Sequence, residues 1–127
     1  MGLQAISANS LPAYKDEHLV FDFAGKAVVL DGARMMLTHK EYELLALLVQ
    51  HAGEIIPRGA LLLRIWGYSS EIRTRTLDVH IRRLRKKLGA YAERYIETIF
   101  GIGYRFQPYR AQQFFQATAA EPIALGA

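Results

Sequence analysis

The chain has 127 residues, half of them hydrophobic, with 16 basic and 12 acidic side chains, a net charge of +4 and no cysteine. That length buries one core, and the missing thiols exclude disulfides and thiolate metal sites. No apolar run nears the ~20 residues of a membrane span, and residues 1–10 lack a signal peptide's basic start, so a soluble, cytoplasmic protein is expected.

Residues 1–16 are small and polar around Pro12 and read as a linker or an expression remnant. "HLVFDF", "KAVVLD" and "ARMMLT" follow, three short β-rich runs divided by Gly25 and by Asp31-Gly32, a favoured hairpin dipeptide. They predict a small antiparallel sheet. In "LTHKEYELLALLVQHAG" the period changes to that of a helix. Thr38 and Glu41 form a capping box, so the helix starts near His39, buries a stripe of Tyr42, Leu45, Leu48 and Val49, and stops at Gly53. "IIPRGALLLRIWG" predicts a second helix from about Arg58 to Trp66, weakened by Gly59 and anchored by Leu61, Leu62 and Ile65.

A polar loop leads to Thr74, a candidate cap for a third helix in "TRTLDVHIRRLRKKLG". At ~100° per residue, Leu77, Ile81, Leu84 and Leu88 form its buried face. Arg75, Val79, Arg82, Arg83 and Lys86 take the opposite face, with His80 and Lys87 on one flank and Arg85 on the other. After Gly89 a polar link reaches "RYIETIFGIGYRF", a β-hairpin turning at Gly101-Ile102-Gly103. Alternation from an inward Ile99 sends Thr98 and Phe100 outward. The folded unit is expected over 17–107, with 108–127 as a flexible tail in which Phe114 and Phe115 have no assigned place.

Charge singles out the third helix. Between Ile72 and Leu88 seven basic residues meet one acid, a local +6, so the rest of the chain is −2. A solvated helix face would mix its signs, but here Asp78 is the only acid. That pattern favours a polyanion surface over simple solubility. Arginine outnumbers lysine, as bidentate contact with phosphate or guanine requires, and Val79 amid the cations suits a thymine methyl.

Other chemistries lack support. Gly101 and Gly103 are followed by Phe106, where a dinucleotide fingerprint needs a small residue. His18, His39, His51 and His80 share no metal-ligand spacing, and no serine or threonine has an evident base. No enzymatic activity, metal or cofactor is expected. The leucine face lacks Trp and Phe, which argues against a membrane-surface helix.

From about His18 to Phe106 the chain resembles the effector domain of OmpR/PhoB-family response regulators. "LTHKEYELLALLVQHAGEII", "LLLRIWG", "RTLDVHIRRLRKKLG" and "YIETIFGIGYRF" carry the likeness in order and spacing. The resemblance implies an α+β winged helix-turn-helix: an N-terminal antiparallel sheet, three helices and a C-terminal hairpin wing. It implies sequence-specific binding of double-stranded DNA, the third helix in the major groove and the wing near the minor groove. Val79 and Arg83 match its base-reading positions. Arg75, His80, Arg82 and Lys86 match positions on or near phosphates, as do Arg58 and Trp66 on the second helix and Thr98 on the wing. Phe100 and Tyr104 belong to the wing. The 67–73 loop resembles the segment that meets RNA polymerase. A preceding receiver domain is implied, so the chain is expected to be the effector part of a two-component regulator that dimerises on tandem half-sites.

Two residues depart from the pattern: Pro57 stands where a capping Ser or Thr is common, and Phe100 where several members carry a basic wing residue. For Trp66 and Phe100, packing and DNA contact both stay open. The competing class is an interaction module whose basic helix docks an acidic protein.

Overall fold

The computed structural model describes residues 13–69 and 71–109. Four short strands, β1 (Ala13–Lys15), β2 (Leu19–Asp22), β3 (Ala27–Leu30) and β4 (Ala33–Arg34), pair antiparallel in that order. Leu30 pairs with Ala33 across Asp31-Gly32, whose φ angles of 50° and 83° make the two-residue turn that matches strand twist.

Two expectations fail in this sheet. β1 lies inside the stretch read as a linker. Its place depends on distant partners: the Tyr14 ring meets Phe106 edge-on at 5.3 Å, and the Asp16 carboxylate next to the strand is shared by groups from both ends of the domain. "ARMMLT" adds only two strand residues, because beyond Met35 the chain turns toward the helices and the Met36 carbonyl accepts from Lys87.

Helix α1 (His39–Gln50) starts as expected. The Thr38 hydroxyl accepts from the Glu41 N–H at 3.2 Å, and the Glu41 carboxylate accepts from the Thr38 N–H at 3.0 Å. Such a cap contributes about 1 kcal/mol. The predicted stripe is too narrow, since Leu44 through Val49 are all buried. The reason is packing on two sides. The Tyr42 ring stacks on Phe21 of the sheet at 5.4 Å, while other faces meet the second and third helices and the last strand.

A strand absent from the sequence reading, β5 (Ile55–Pro57), leads into α2 (Arg58–Trp66). Pro57 provides no side-chain cap; the Arg58 N–H instead donates to the Ile102 carbonyl at 3.0 Å, so the wing satisfies this helix end. Gly67 ends α2 in the left-handed region (φ 76°), with N–H bonds from Gly67 to Leu63 and from Tyr68 to Leu62.

Helix α3 (Thr76–Leu88) buries Leu77, Ile81, Leu84 and Leu88 as expected. Arg75, not Thr74, occupies its cap position; the Thr74 hydroxyl accepts from the Thr76 N–H at 3.1 Å from one residue further out. The expected polar link is a 3₁₀ turn (Gly89–Tyr91) and a short helix α4 (Ala92–Tyr95). Burial decides this: Tyr95 is fully enclosed and stacks on Phe106 at 5.5 Å.

The hairpin of β6 (Ile96–Ile99) and β7 (Gly103–Phe106) closes the fold, and β5 adds to its far side in the order β5-β7-β6. Its tip is Phe100-Gly101-Ile102, one residue earlier than expected, closed by the Ile102 N–H on the Ile99 carbonyl at 2.9 Å. Gly101 takes the left-handed turn position (φ 80°). Gly103 serves differently: a Cβ there would stand 2.0 Å from the Ile56 carbonyl oxygen, so only glycine lets β5 pair this closely. At the other end, Tyr109 packs its ring against His18 at 4.6 Å, so order continues past residue 107. The remainder of the expected tail, with Phe114 and Phe115, lies outside the described residues.

Candidate nucleic-acid interface

The four leucine-type residues behind α3 fix which way its cations face. Arg75, Arg82, Arg83 and Lys86 are exposed, and among the described residues none of the four forms an ion pair. Val79 sits half-buried between them. These five side chains therefore share one solvent-facing surface.

The other cations of the segment are committed elsewhere. Lys87 reaches back to α1, where its ammonium binds the Glu41 carboxylate and the Met36 carbonyl. Glu41 is only 1% exposed. Burial pushes its carboxyl up, but the Lys87 ammonium and the Thr38 N–H outweigh this and hold it below the usual range. Arg85 turns to the wing and donates to the Ile96 carbonyl (2.8 Å) and the Thr98 hydroxyl (2.7 Å). Helical angles put Lys87 and Arg85 on opposite flanks, but did not reveal that both cross to other elements.

Asp78, the helix's one acid, joins three elements. It accepts from Arg58 of α2 and, at 2.9 Å, from the Tyr104 hydroxyl of β7. Burial raises its pKa, yet the Arg58 and Tyr104 hydrogen bonds and the charges of Arg58 and Arg75 leave it lowered. Arg58 was expected at the DNA backbone; the structure gives its guanidinium to Asp78 first. The acid is thus neutralised from below, and the outer face stays uniformly positive.

Flanking side chains are held in defined poses. The His80 Nδ1 lies 2.8 Å from the Thr76 carbonyl, so that nitrogen carries hydrogen and Nε2 is left for an outside partner. The Trp66 ring meets His80 edge-on at 4.9 Å and is half-buried against the core, so it both packs and borders the basic face.

The wing corrects two expectations. Thr98 shares the face of buried Ile96 and turns toward α3, not away from it, while Ile99 is only partly buried. Tyr104, opposite Thr98 in the ladder, lies on the same side with its hydroxyl on Asp78. Phe100 is 89% exposed, and Ile102 is 50% exposed, which removes the reading of Phe100 as a cover over apolar surface. Of the 67–73 loop, Ser70 is outside the described residues; Ile72 and Arg73 border an open groove between α2 and the start of α3 that Arg58 and Arg75 also line. Among the described residues no cluster could hold a metal ion, and no helix is long and apolar enough to cross a membrane.

Comparison with known proteins converges on one family. Residues 32–106 match the model described as transcriptional regulatory protein, C terminal. The response regulator ArlR of Staphylococcus aureus is 44% identical over 78 residues, covering 61% of this chain and 36% of ArlR. The chain thus spans about a third of that relative's length. The Klebsiella pneumoniae RstA DNA-binding domain, solved in complex with the RstA box, superposes with a TM-score of 0.70 at 34% identity, covering 76% of this chain and 98% of that one. The DNA-binding domain of CpxR from E. coli gives 0.69 at 28% identity, covering 79% and 100%. DrrB of Thermotoga maritima, described as an OmpR/PhoB homolog, gives 0.68 at 36%, covering 75% and 44%.

Proposed function

The chain belongs to the C-terminal domain family of transcriptional regulatory proteins, and from that premise we propose how its surface meets DNA. It is a winged-helix, DNA-binding effector domain of the response-regulator type. In this reading α3 lies in the major groove. Val79 and Arg83 reach base edges, and Arg75, Arg82 and Lys86 bind phosphates, with His80 Nε2 and the Trp66 edge beside them. Thr98 meets the backbone from the wing, and Phe100 rides at the minor-groove edge. Arg58 contributes through the donors that Asp78 leaves unused.

One observation carries this: four cations on one rigid face without a carboxylate among them. No ion pair among the described residues relieves their mutual repulsion, and a phosphate backbone would relieve it. Val79 also stands among these cations, an aliphatic side chain that phosphate screening alone would not need. Further proposals rest on the longer relatives: a receiver domain in the full-length protein, dimeric binding to tandem half-sites, and contact of the 67–73 loop with RNA polymerase.

The test is selection of a duplex from a random pool, followed by binding titrations in increasing salt against that duplex and a scrambled one. Preference for the selected duplex is expected, with Arg75→Ala and Arg82→Ala each lowering the salt slope by about 0.9. Unchanged slopes in both variants would remove their phosphate role. Binding to acidic proteins with no preference between duplexes would replace the DNA reading.

A further inference from the structure

Arg85 stands apart from the other arginines of α3. It is half-buried, has no ion-pair partner among the described residues, and lies in the angle between the helix and the wing. Its Nη2 donates to the Ile96 carbonyl at 2.8 Å and to the Thr98 hydroxyl oxygen at 2.7 Å. The guanidinium carbon lies 5.9 Å from the centre of the Tyr104 ring. Its Nε is buried with no partner among the described residues, an unmet donor that a side chain used for packing alone should avoid.

The chemistry of that bond has a direction. A guanidinium can only donate, so the Thr98 oxygen must accept, and its proton cannot point back along the same line. No group among the described residues takes that proton. A hydroxyl otherwise rotates to donate or accept as its surroundings ask; here one lone pair is taken, so the O–H is turned away from the guanidinium. The cation behind the oxygen also polarises the O–H bond and strengthens it as a donor.

Resting on the reading of α3 and the wing as a DNA interface, we propose that Arg85 is a positioning residue that holds the Thr98 O–H turned away from the guanidinium, ready to donate to one phosphate oxygen at the helix–wing joint. A phosphate oxygen only accepts, so a hydroxyl already oriented to donate fits it with less loss of rotational freedom than one that turns freely. The same arginine ties β6 to α3 through the Ile96 carbonyl, which fixes where that donor stands relative to the recognition face.

The test uses the 127-residue chain and the duplex selected by it. Thr98→Val removes the donor while keeping the shape and should weaken binding by about threefold to tenfold. Arg85→Gln offers Thr98 a carbonyl to donate to, releases the fixed orientation and should cost a similar factor. In the Thr98→Val background, Arg85→Gln should cost nothing further, whereas Arg85→Lys, still only a donor, should bind like the parent. A scan of single methylphosphonate substitutions should find one phosphate at which Thr98→Val no longer matters. Additive losses in the double variant would overturn the proposal, as would an Arg85→Lys as weak as Arg85→Gln, or a scan with no silent position. Should Arg85→Gln fail to fold, Arg85→Lys and the Thr98→Val scan decide alone. If the parent shows neither salt dependence nor duplex preference, the interface reading itself fails, and that is visible before any variant is made.

Discussion

The corner around Asp16 and the outer face of α3 treat charge in opposite ways. At the corner, Asp16 accepts from the hydroxyls of Tyr14 and Tyr95 and from the N–H groups of His18, Leu19 and Tyr109. Nearby, Asp31 takes the Tyr91 hydroxyl at 2.7 Å and the His18 Nδ1 at 2.6 Å. Each carboxylate there is held by the domain's own donors, and the beginning and end of the fold are clasped together. On α3 the reverse holds: among the described residues Arg75, Arg82, Arg83 and Lys86 form no ion pair, and neither Asp78 nor Glu41 pairs with them. Those acids are bound to Arg58, Tyr104 and Lys87 instead. A scaffold closes its own charges, and the face left open marks where a partner must supply them.

The comparison breaks most severely if the faces of α3 have been reversed. Leu84 is fully buried, so Leu84→Ala should destabilise by about 2–5 kcal/mol, seen as a lowered melting temperature. A melt equal to the parent's would place Leu84 at the surface and the cations inside.

The Asp16 corner makes a pH prediction. Burial pushes the Asp16 carboxyl up, but hydrogen bonds from Tyr14, Leu19, His18 and Tyr95 prevail and hold it below its ordinary value. The unfolded chain then takes up the proton first. The stability Asp16 contributes is complete above the unfolded carboxyl's pKa of about 4 and is lost as pH falls below it. Asp16→Asn turns an all-acceptor group into one that must also donate toward its former donors. It should cost about 1–3 kcal/mol at neutral pH and flatten the acid limb of the melting curve. Parallel pH curves for variant and parent would show that the clasp is not electrostatic.

The smallest effect is expected at the wing tip. With Phe100 exposed, Phe100→Arg should leave stability within about 0.5 kcal/mol. It adds a charge where a narrow A·T minor groove attracts one, so binding should tighten, the salt slope steepen by about 0.9 and a flanking A·T preference emerge. No change in any of the three would mean that this wing does not approach the groove.

What the sequence made legible follows from locality. The Thr38–Glu41 box, the Asp31-Gly32 turn and the leucine face of α3 are decided by residues a few places apart, and each stands where periodicity and cap chemistry put it. β1 and β5 were not legible, because three-residue strands carry no period of their own. They exist through Asp16's donors and through the gap that Gly103 leaves beside Ile56. The site divides in the same way. Helical angles separated the cations from the core, but the pairing of Arg58 with Asp78, the reach of Lys87 to Glu41 and the inward turn of Thr98 depend on which distant element lies alongside.

The central claim is that the open face of α3 reads sequence and does not merely collect phosphates. Binding of the parent and of Arg83→Ala to the selected and scrambled duplexes, at matched salt, tests it most directly. Arg83 is exposed on the same face as Val79 and forms no ion pair among the described residues. Its loss should remove about 1–3 kcal/mol of preference for the selected duplex while scrambled binding changes little. Equal losses on both duplexes would contradict the account and leave Arg83 as one more phosphate contact.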